Sequence, residues 1–211
     1  MRKLILMILA VALAIPSFAQ FDSNRSRSRY NHNDTERYFG IRLGLNISTL
    51  NSSMADMDMD SRTGLALGAV YGMQLANSAP IWLEGGLLYS EKGGKTHVLG
   101  EKVECRMKYL QVPIVIKYSF EAGDDFYVQP FLGGYMALGV GGRTKYYADK
   151  TSSDSFSDIN RFDAGLRVGC GVEYSMVYAE AGFDFGLTNI AKDDFERVRN
   201  QAFFVNVGVN F

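Results

Sequence analysis

From Tyr38 onward, apolar residues alternate with polar or very small ones almost one for one. In "YFGIRLGLNIS" the apolar set is Phe39, Ile41, Leu43, Leu45 and Ile47, against Gly40, Arg42, Gly44, Asn46 and Ser48. In "RFDAGLRVGCGVEY" Phe162, Ala164, Leu166, Val168, Cys170, Val172 and Tyr174 share one face. Arg161, Asp163, Gly165, Arg167, Gly169, Gly171 and Glu173 share the other. The closing "QAFFVNVGVNF" sets Phe203, Val205, Val207, Val209 and Phe211 against Phe204, Asn206, Gly208 and Asn210. An amphipathic helix needs apolar residues three and four apart, and these stretches fail that test. A period of two belongs to strands.

The pattern predicts eight strands, at about 38–49, 63–76, 81–92, 104–120, 126–140, 161–175, 177–188 and 202–211. The third and fifth alternate less cleanly, with Trp82, Leu88 and Phe131 on the nominally polar face. Long polar loops follow the odd strands, at 50–62, 93–103, 141–160 and 189–201. Short turns follow the even ones: "NSAP", "EAGDD" and Ser175-Met176. Long loops at one end and short turns at the other mark an outer-membrane barrel. One register can be read directly. If Ser175-Met176 is the turn, facing residues sum to 351, so Tyr174 meets Val177, Val168 meets Phe183 and Arg167 meets Asp184. A slip of one residue would mix the two faces.

Alternation alone does not say which face is outside. The second face decides it, because it is mostly glycine with isolated charges: Gly40, Gly44, Gly68, Gly72, Gly133, Gly169, Gly182 and Gly208 are examples. On a solvated convex surface glycine packs nothing and costs chain entropy. In the narrow interior of an eight-stranded barrel, small residues make room for a few large ones. The glycine face is therefore the bore, and the Leu, Val and Phe face looks out to lipid. Phe39, Tyr118, Phe120, Phe126, Tyr174 and Phe211 fall near the turn ends of their strands, where an interfacial aromatic girdle is expected; Tyr89, Phe162 and Phe203 mark a weaker one at the other end. The predicted fold class is all-β, an eight-stranded antiparallel up-and-down transmembrane barrel whose last strand pairs with its first.

The residues before the barrel fit this location. "MRKLILMILAVALAIPSFAQ" has a basic start, an apolar run and small residues at the cleavage positions, the form of a secretory signal peptide cut between Ala19 and Gln20. The expected organisation is signal peptide 1–19, a polar disordered periplasmic lead 20–37 and the barrel 38–211. Removing Arg2 and Lys3 leaves 20 basic against 23 acidic side chains, a net charge of −3, which argues against a nucleic-acid partner. No Cys follows the cut, which argues against a lipid anchor.

Several stretches carry a family likeness: "GIRLGLNIS", "LLYSEKGGK", "YLQVPIVIKYSF", "PFLGGYMALG", "FDAGLRVGCGVEY" and "FFVNVGVNF". Together, from Tyr38 to Phe211, they resemble the PorT-like outer-membrane β-barrel proteins of Bacteroidetes. The resemblance implies an integral protein of the Gram-negative cell outer membrane, and some family members assist secretion or gliding. A terminal Phe211 behind alternating apolar residues resembles the signal that the barrel assembly machinery reads.

Candidate chemistry is sparse. Inward parity falls on Arg42, Glu84, Lys117, Arg161, Asp163, Arg167, Glu173, Glu180 and Asp184. In a narrow bore such charges must pair, so Arg42, Glu84, Lys117, Arg167, Glu180 and Asp184 are expected to form a lumen charge network. Asp56, Asp58 and Asp60 offer alternate oxygens to a divalent cation, but Ser61 and Leu67 stand where an EF-hand has Gly and Glu, so a solvated acidic loop is the simpler reading. His97 and Ser90 lie near the outer rim without the spacing of a triad. Cys105 and Cys170 fall at different depths and on opposite faces, which opposes a disulfide. No catalytic residue, metal site or cofactor is expected. The function expected is a non-enzymatic structural or accessory role, exerted through the loops or periplasmic rim on a protein partner, amid outer-membrane lipid and lipopolysaccharide. The alternatives are a rim enzyme acting on lipid or peptide and a narrow small-solute conduit.

Overall fold

The computed structural model describes residues 36–52, 59–76, 79–98, 101–146, 151–153, 160–190 and 198–211. The proposed cleavage site at Ala19 and Gln20, the lead segment up to 35, and Asp56 and Asp58 lie outside the described residues.

Eight long strands form a ring. They are β1 (Arg37–Ser52), β2 (Met59–Ala76), β3 (Ala79–Val98), β4 (Glu101–Tyr118), β6 (Phe126–Tyr146), β8 (Phe162–Tyr174), β9 (Val177–Gly186) and β10 (Val198–Asn210). Each pairs antiparallel with its sequence neighbour in this set, and β10 closes onto β1 from Gly40↔Asn210 to Ser52↔Val198. Closure leaves no unpaired edge, the condition for putting strands in hydrocarbon. Two short strands ride on β6: β5 (Phe120–Gly123) pairs with its start and β7 (Thr151–Ser153) with its far end.

The β8–β9 hairpin has the register that sums to 351: Tyr174↔Val177, Val168↔Phe183 and Arg167↔Asp184. Ser175 takes a positive φ of 55°, unusual for a side chain with a Cβ, which is how a Ser-Met pair makes so tight a turn. The outward side chains form one apolar belt. Leu43, Leu67, Leu87, Ile116, Leu132, Val168 and Val207 belong to it, and its large hydrophobics are 36–62 % exposed. Aromatics mark both of its edges: Phe39, Tyr118, Phe120, Phe126 and Tyr174 at the turn end, and Phe162, Phe183 and Phe185 toward the loop end. Phe183 contacts Phe203 with ring centroids 5.0 Å apart.

The loop end departs from the sequence expectation. The stretches 50–62, 93–103 and 141–160 are not simply loops, because strand pairing runs on into them: Met59 pairs with Thr96, Val98 with Glu101 and Val103 with Tyr146. Above the belt no lipid demands an apolar partner at every second position, so the alternation fades while backbone pairing continues. The wall is consequently uneven. β3 and β6 run 20 and 21 residues, whereas β8 and β9 run 13 and 10, close to the roughly 9–11 that span a bilayer.

The three apolar exceptions in the alternation are the bore's own packing. Leu88 sits with Tyr38 and Val70, with Trp82 against them, and Phe131 with Val115 and Phe204. Six buried inward rings each face a glycine directly across the ladder: Tyr38↔Gly72, Tyr109↔Gly139, Phe131↔Gly169, Tyr135↔Gly165, Tyr178↔Gly208 and Phe204↔Gly182. The space a Cβ would need at Gly169 and Gly182 is shared by a neighbouring backbone carbonyl and by Phe131 Cζ and Phe204 Cζ, at 2.5 and 2.7 Å; at Gly72 it is held by the Tyr38 ring itself. Other inward glycines make room for non-aromatic neighbours: Arg42 and Asn210 at Gly40, Asn206 at Gly44 and Leu88 at Gly68.

Candidate functional site

The bore is filled by a continuous polar column. At its turn end, β10 supplies Asn210, whose Nδ2 donates to Glu173 at 2.8 Å. Above it, the carboxylate of Glu84 on β3 gathers three donors: Tyr38 Oη at 2.6 Å, Lys117 Nζ at 2.8 Å and Arg42 Nη2 at 3.3 Å. Lys117 also donates to Tyr178 Oη at 2.8 Å, and that hydroxyl donates to Glu180 at 3.1 Å. The Arg42 guanidinium lies 4.1 Å over the Tyr178 ring.

Glu180 links the first cluster to a second. Its other oxygen accepts from Asn206 Nδ2 at 2.7 Å and lies 3.6 Å from Arg167 Nη2. Arg167 Nη1 donates to Asp184 at 3.1 Å, and its guanidinium stacks 3.6 Å over Phe204. Asp184 also accepts from Gln111 at 2.9 Å and lies 3.3 Å from Lys92 Nζ. Toward the loop end, Asp163 accepts from Asn200 at 3.0 Å, Thr188 at 3.0 Å and Tyr135 at 3.3 Å. Strand β10 thus presents three inward amides, each holding one carboxylate. Asn206 and Asn210 are the asparagines of the closing segment, and Asn200 stands just before it.

Arg42, Glu84, Lys117, Arg167, Glu180 and Asp184 therefore meet in one bonded system. Arg161 does not join them, because it is exposed at the low wall. Lys92, Arg62 and Glu104 were missed because they fall at or beyond the expected strand ends; all three are buried, and Arg62 Nε reaches Glu104 at 3.2 Å. The even-numbered parity of Glu84 on β3, carried eight residues further, would have found Lys92. Among the described buried residues, five cations (Arg42, Arg62, Lys92, Lys117, Arg167) face five anions (Glu84, Glu104, Asp163, Glu180, Asp184), so the enclosed charge is zero. Ser90 is buried and accepts from Asn46 at 2.9 Å; Cys105 and Cys170 are not joined in a disulfide.

A closed eight-stranded ring with a lipid-facing belt and a polar filling defines a transmembrane β-barrel. The comparisons give the family. The model of the outer membrane protein β-barrel domain matches residues 18–192, and the chain belongs to that family; it is a protein of the outer membrane. Strand β10 lies beyond the matched segment and takes its place through pairing with β1 and β9. The fold is similar to that of the outer membrane protein OprG from Pseudomonas aeruginosa, at 13% identity, over 84% of this chain and 97% of that one, with a TM-score of 0.50. Also similar are Neisserial surface protein A (19% identity, 82% and 97% covered, TM-score 0.49) and Ail of Yersinia pestis (14%, 83% and 99%, TM-score 0.45). No match was found among curated proteins.

Proposed function

We propose that this barrel is a non-enzymatic accessory protein of the outer membrane, of the PorT-like kind, that works through its loop-end wall on a protein partner. The observation that carries this reading is the bore. Its described buried charges balance five against five; Arg42, Glu84, Lys117, Arg167, Glu180 and Asp184 engage one another, while Asp163 and Glu173 are held by neutral amide and hydroxyl donors, so its charged groups are already engaged within the barrel. What remains for function is the outside. There the tall wall of β2, β3, β4 and β6 stands above the belt as a paired platform, with the loop end outward and both ends of the barrel sequence at the periplasmic rim. Phe211, directly after β10, serves in this reading as the signal to the barrel assembly machinery.

Two experiments test it. With Cys105 and Cys170 replaced by Ser, single Cys residues placed at Asp60 or Arg143 are crosslinked in intact cells and the products identified. A recurrent protein partner, lost when 147–159 is deleted, supports the accessory role; capture of lipid and the barrel alone ends it. For assembly, Phe211→Ala is expected to lower the heat-modifiable, folded fraction in outer-membrane extracts several-fold. An unchanged fraction removes Phe211 from that role.

A further inference from the structure

Above the belt, the outer face of the β4–β6 seam carries an unbalanced group of cations. Up to Tyr109↔Gly139 the two strands present the exposed pair Leu110 and Leu138 to lipid, and exposed Val140 follows as the unpaired residue of the next step. One step higher, Lys108 pairs with Gly141, so β6 contributes one residue more than β4. This bulge shifts the alternation of β6 by one position. Arg143 therefore lands directly opposite Arg106, on the face that Lys108 and Leu110 occupy by alternation along β4. Lys108 and Arg143 are exposed, and the Arg106 side chain is 42% exposed.

Like charges placed directly across a ladder repel, and the local carboxylates only partly offset this. Glu104 accepts from Arg106 at 2.9 and 3.1 Å, but it also serves Arg62 at 3.2 Å. Glu91, the Cα partner of Lys108, accepts from Tyr89 at 2.9 Å and lies 3.7 Å from Arg62. Lys95 and Lys145 flank Glu104 in the register on either side. Among the described residues neither Lys108 nor Arg143 has a carboxylate within ion-pair reach. Beside them Gly141 has nothing within 4 Å of where a Cβ would stand, which leaves open space between the two cations.

We propose that Arg106, Lys108 and Arg143 bind the phosphate of a phosphorylated glycolipid of the outer leaflet, whose acyl chains lie along Leu110, Leu138 and Val140. Two observations choose this occupant. The cations sit immediately above lipid-facing side chains, two positions or roughly 7 Å along the strand, where headgroups meet the belt. The described exposed charges are also polarised: Glu36, Glu121, Asp124 and Asp125 against Arg37 at the turn end, and Lys108, Arg143, Arg161 and Arg199 against Asp60 at the loop end. Two guanidiniums and an ammonium suit phosphate oxygens through charge-assisted bonds.

This rests on the loop end facing outward. The test uses the full chain in phosphatidylcholine nanodiscs doped with lipid A, with dephosphorylated lipid A, or with phosphatidylglycerol, and native mass spectrometry to count retained lipid. Lipid A is expected to be retained and the other two lost. Lys108→Ala/Arg143→Ala should retain it about tenfold less or worse, from the loss of two charge-assisted bonds, while Arg161→Ala/Arg199→Ala should match wild type. Equal retention of the dephosphorylated form or of phosphatidylglycerol overturns the assignment, as does full retention by the first double variant. If that variant fails to fold, the three lipids on the wild-type chain decide alone. The outward direction is checked separately: Asp60→Cys in the cysteine-free background should label with an impermeant maleimide on intact cells. Failure there overturns the topology, whereas the nanodisc assay, which has no sides, still reports on the cluster.

Discussion

Residue by residue, the bore shows how charges are held in a narrow interior. Glu84 is the hub, taking Tyr38, Arg42 and Lys117 at once. Removing its charge leaves two buried cations without their counter-ion, and breaking a buried pair in this way costs about 3–5 kcal/mol. Glu84→Gln should therefore lower the unfolding free energy by about that much in urea titrations of the detergent-solubilised barrel. Glu84→Gln/Lys117→Met should recover part of the loss, with a coupling of about 1–3 kcal/mol. Strictly additive effects would show that the hub is not one unit.

Among elements, the pairing of an inward ring with the glycine across the ladder explains part of the small face. Tyr38 occupies the place of a Gly72 side chain, and Phe131 that of Gly169. Gly72→Ala and Gly169→Ala should each cost about 1–3 kcal/mol by overpacking. Gly85→Ala and Gly141→Ala, where a Cβ meets only Pro113 O at 3.8 Å or nothing at all, should stay within about 0.5 kcal/mol in the same titration. Equal effects at all four sites would mean that glycine serves chain flexibility there rather than space. Which glycines bear rings follows from register alone. Tyr135 meets Gly165 because β6 and β8 pair at that offset, though the two residues stand 30 apart in the chain.

At the scale of the whole molecule, the column of paired charges makes the barrel a filled rod with two unlike ends, acidic at the turns and basic above the belt among the described residues. A rod of this kind should show no stable ohmic conductance steps in planar bilayers at neutral pH. Reproducible steps would restore the conduit reading and displace the accessory one. The wall is of unequal height around the ring. β8 and β9 stop near the membrane surface, while β3 and β6 carry hydrogen-bonded structure beyond it.

The strands, the two faces and the β8–β9 register are legible in the amino acids alone, because a period of two and a two-residue turn are local properties of a chain that must be apolar toward lipid. The sequence also indicated that Arg42, Glu84, Lys117, Arg167, Glu180 and Asp184 point inward, since parity is local too. Only the tertiary structure decided which of them meet. Arg167 finds Asp184 across a hairpin, but Glu84 finds Arg42 two strands away, through stagger and ring closure that no local pattern encodes. It also decided where the strands end and placed Arg106 opposite Arg143. Outside the bilayer, hydrogen bonding continues without the lipid that writes the alternation into the sequence.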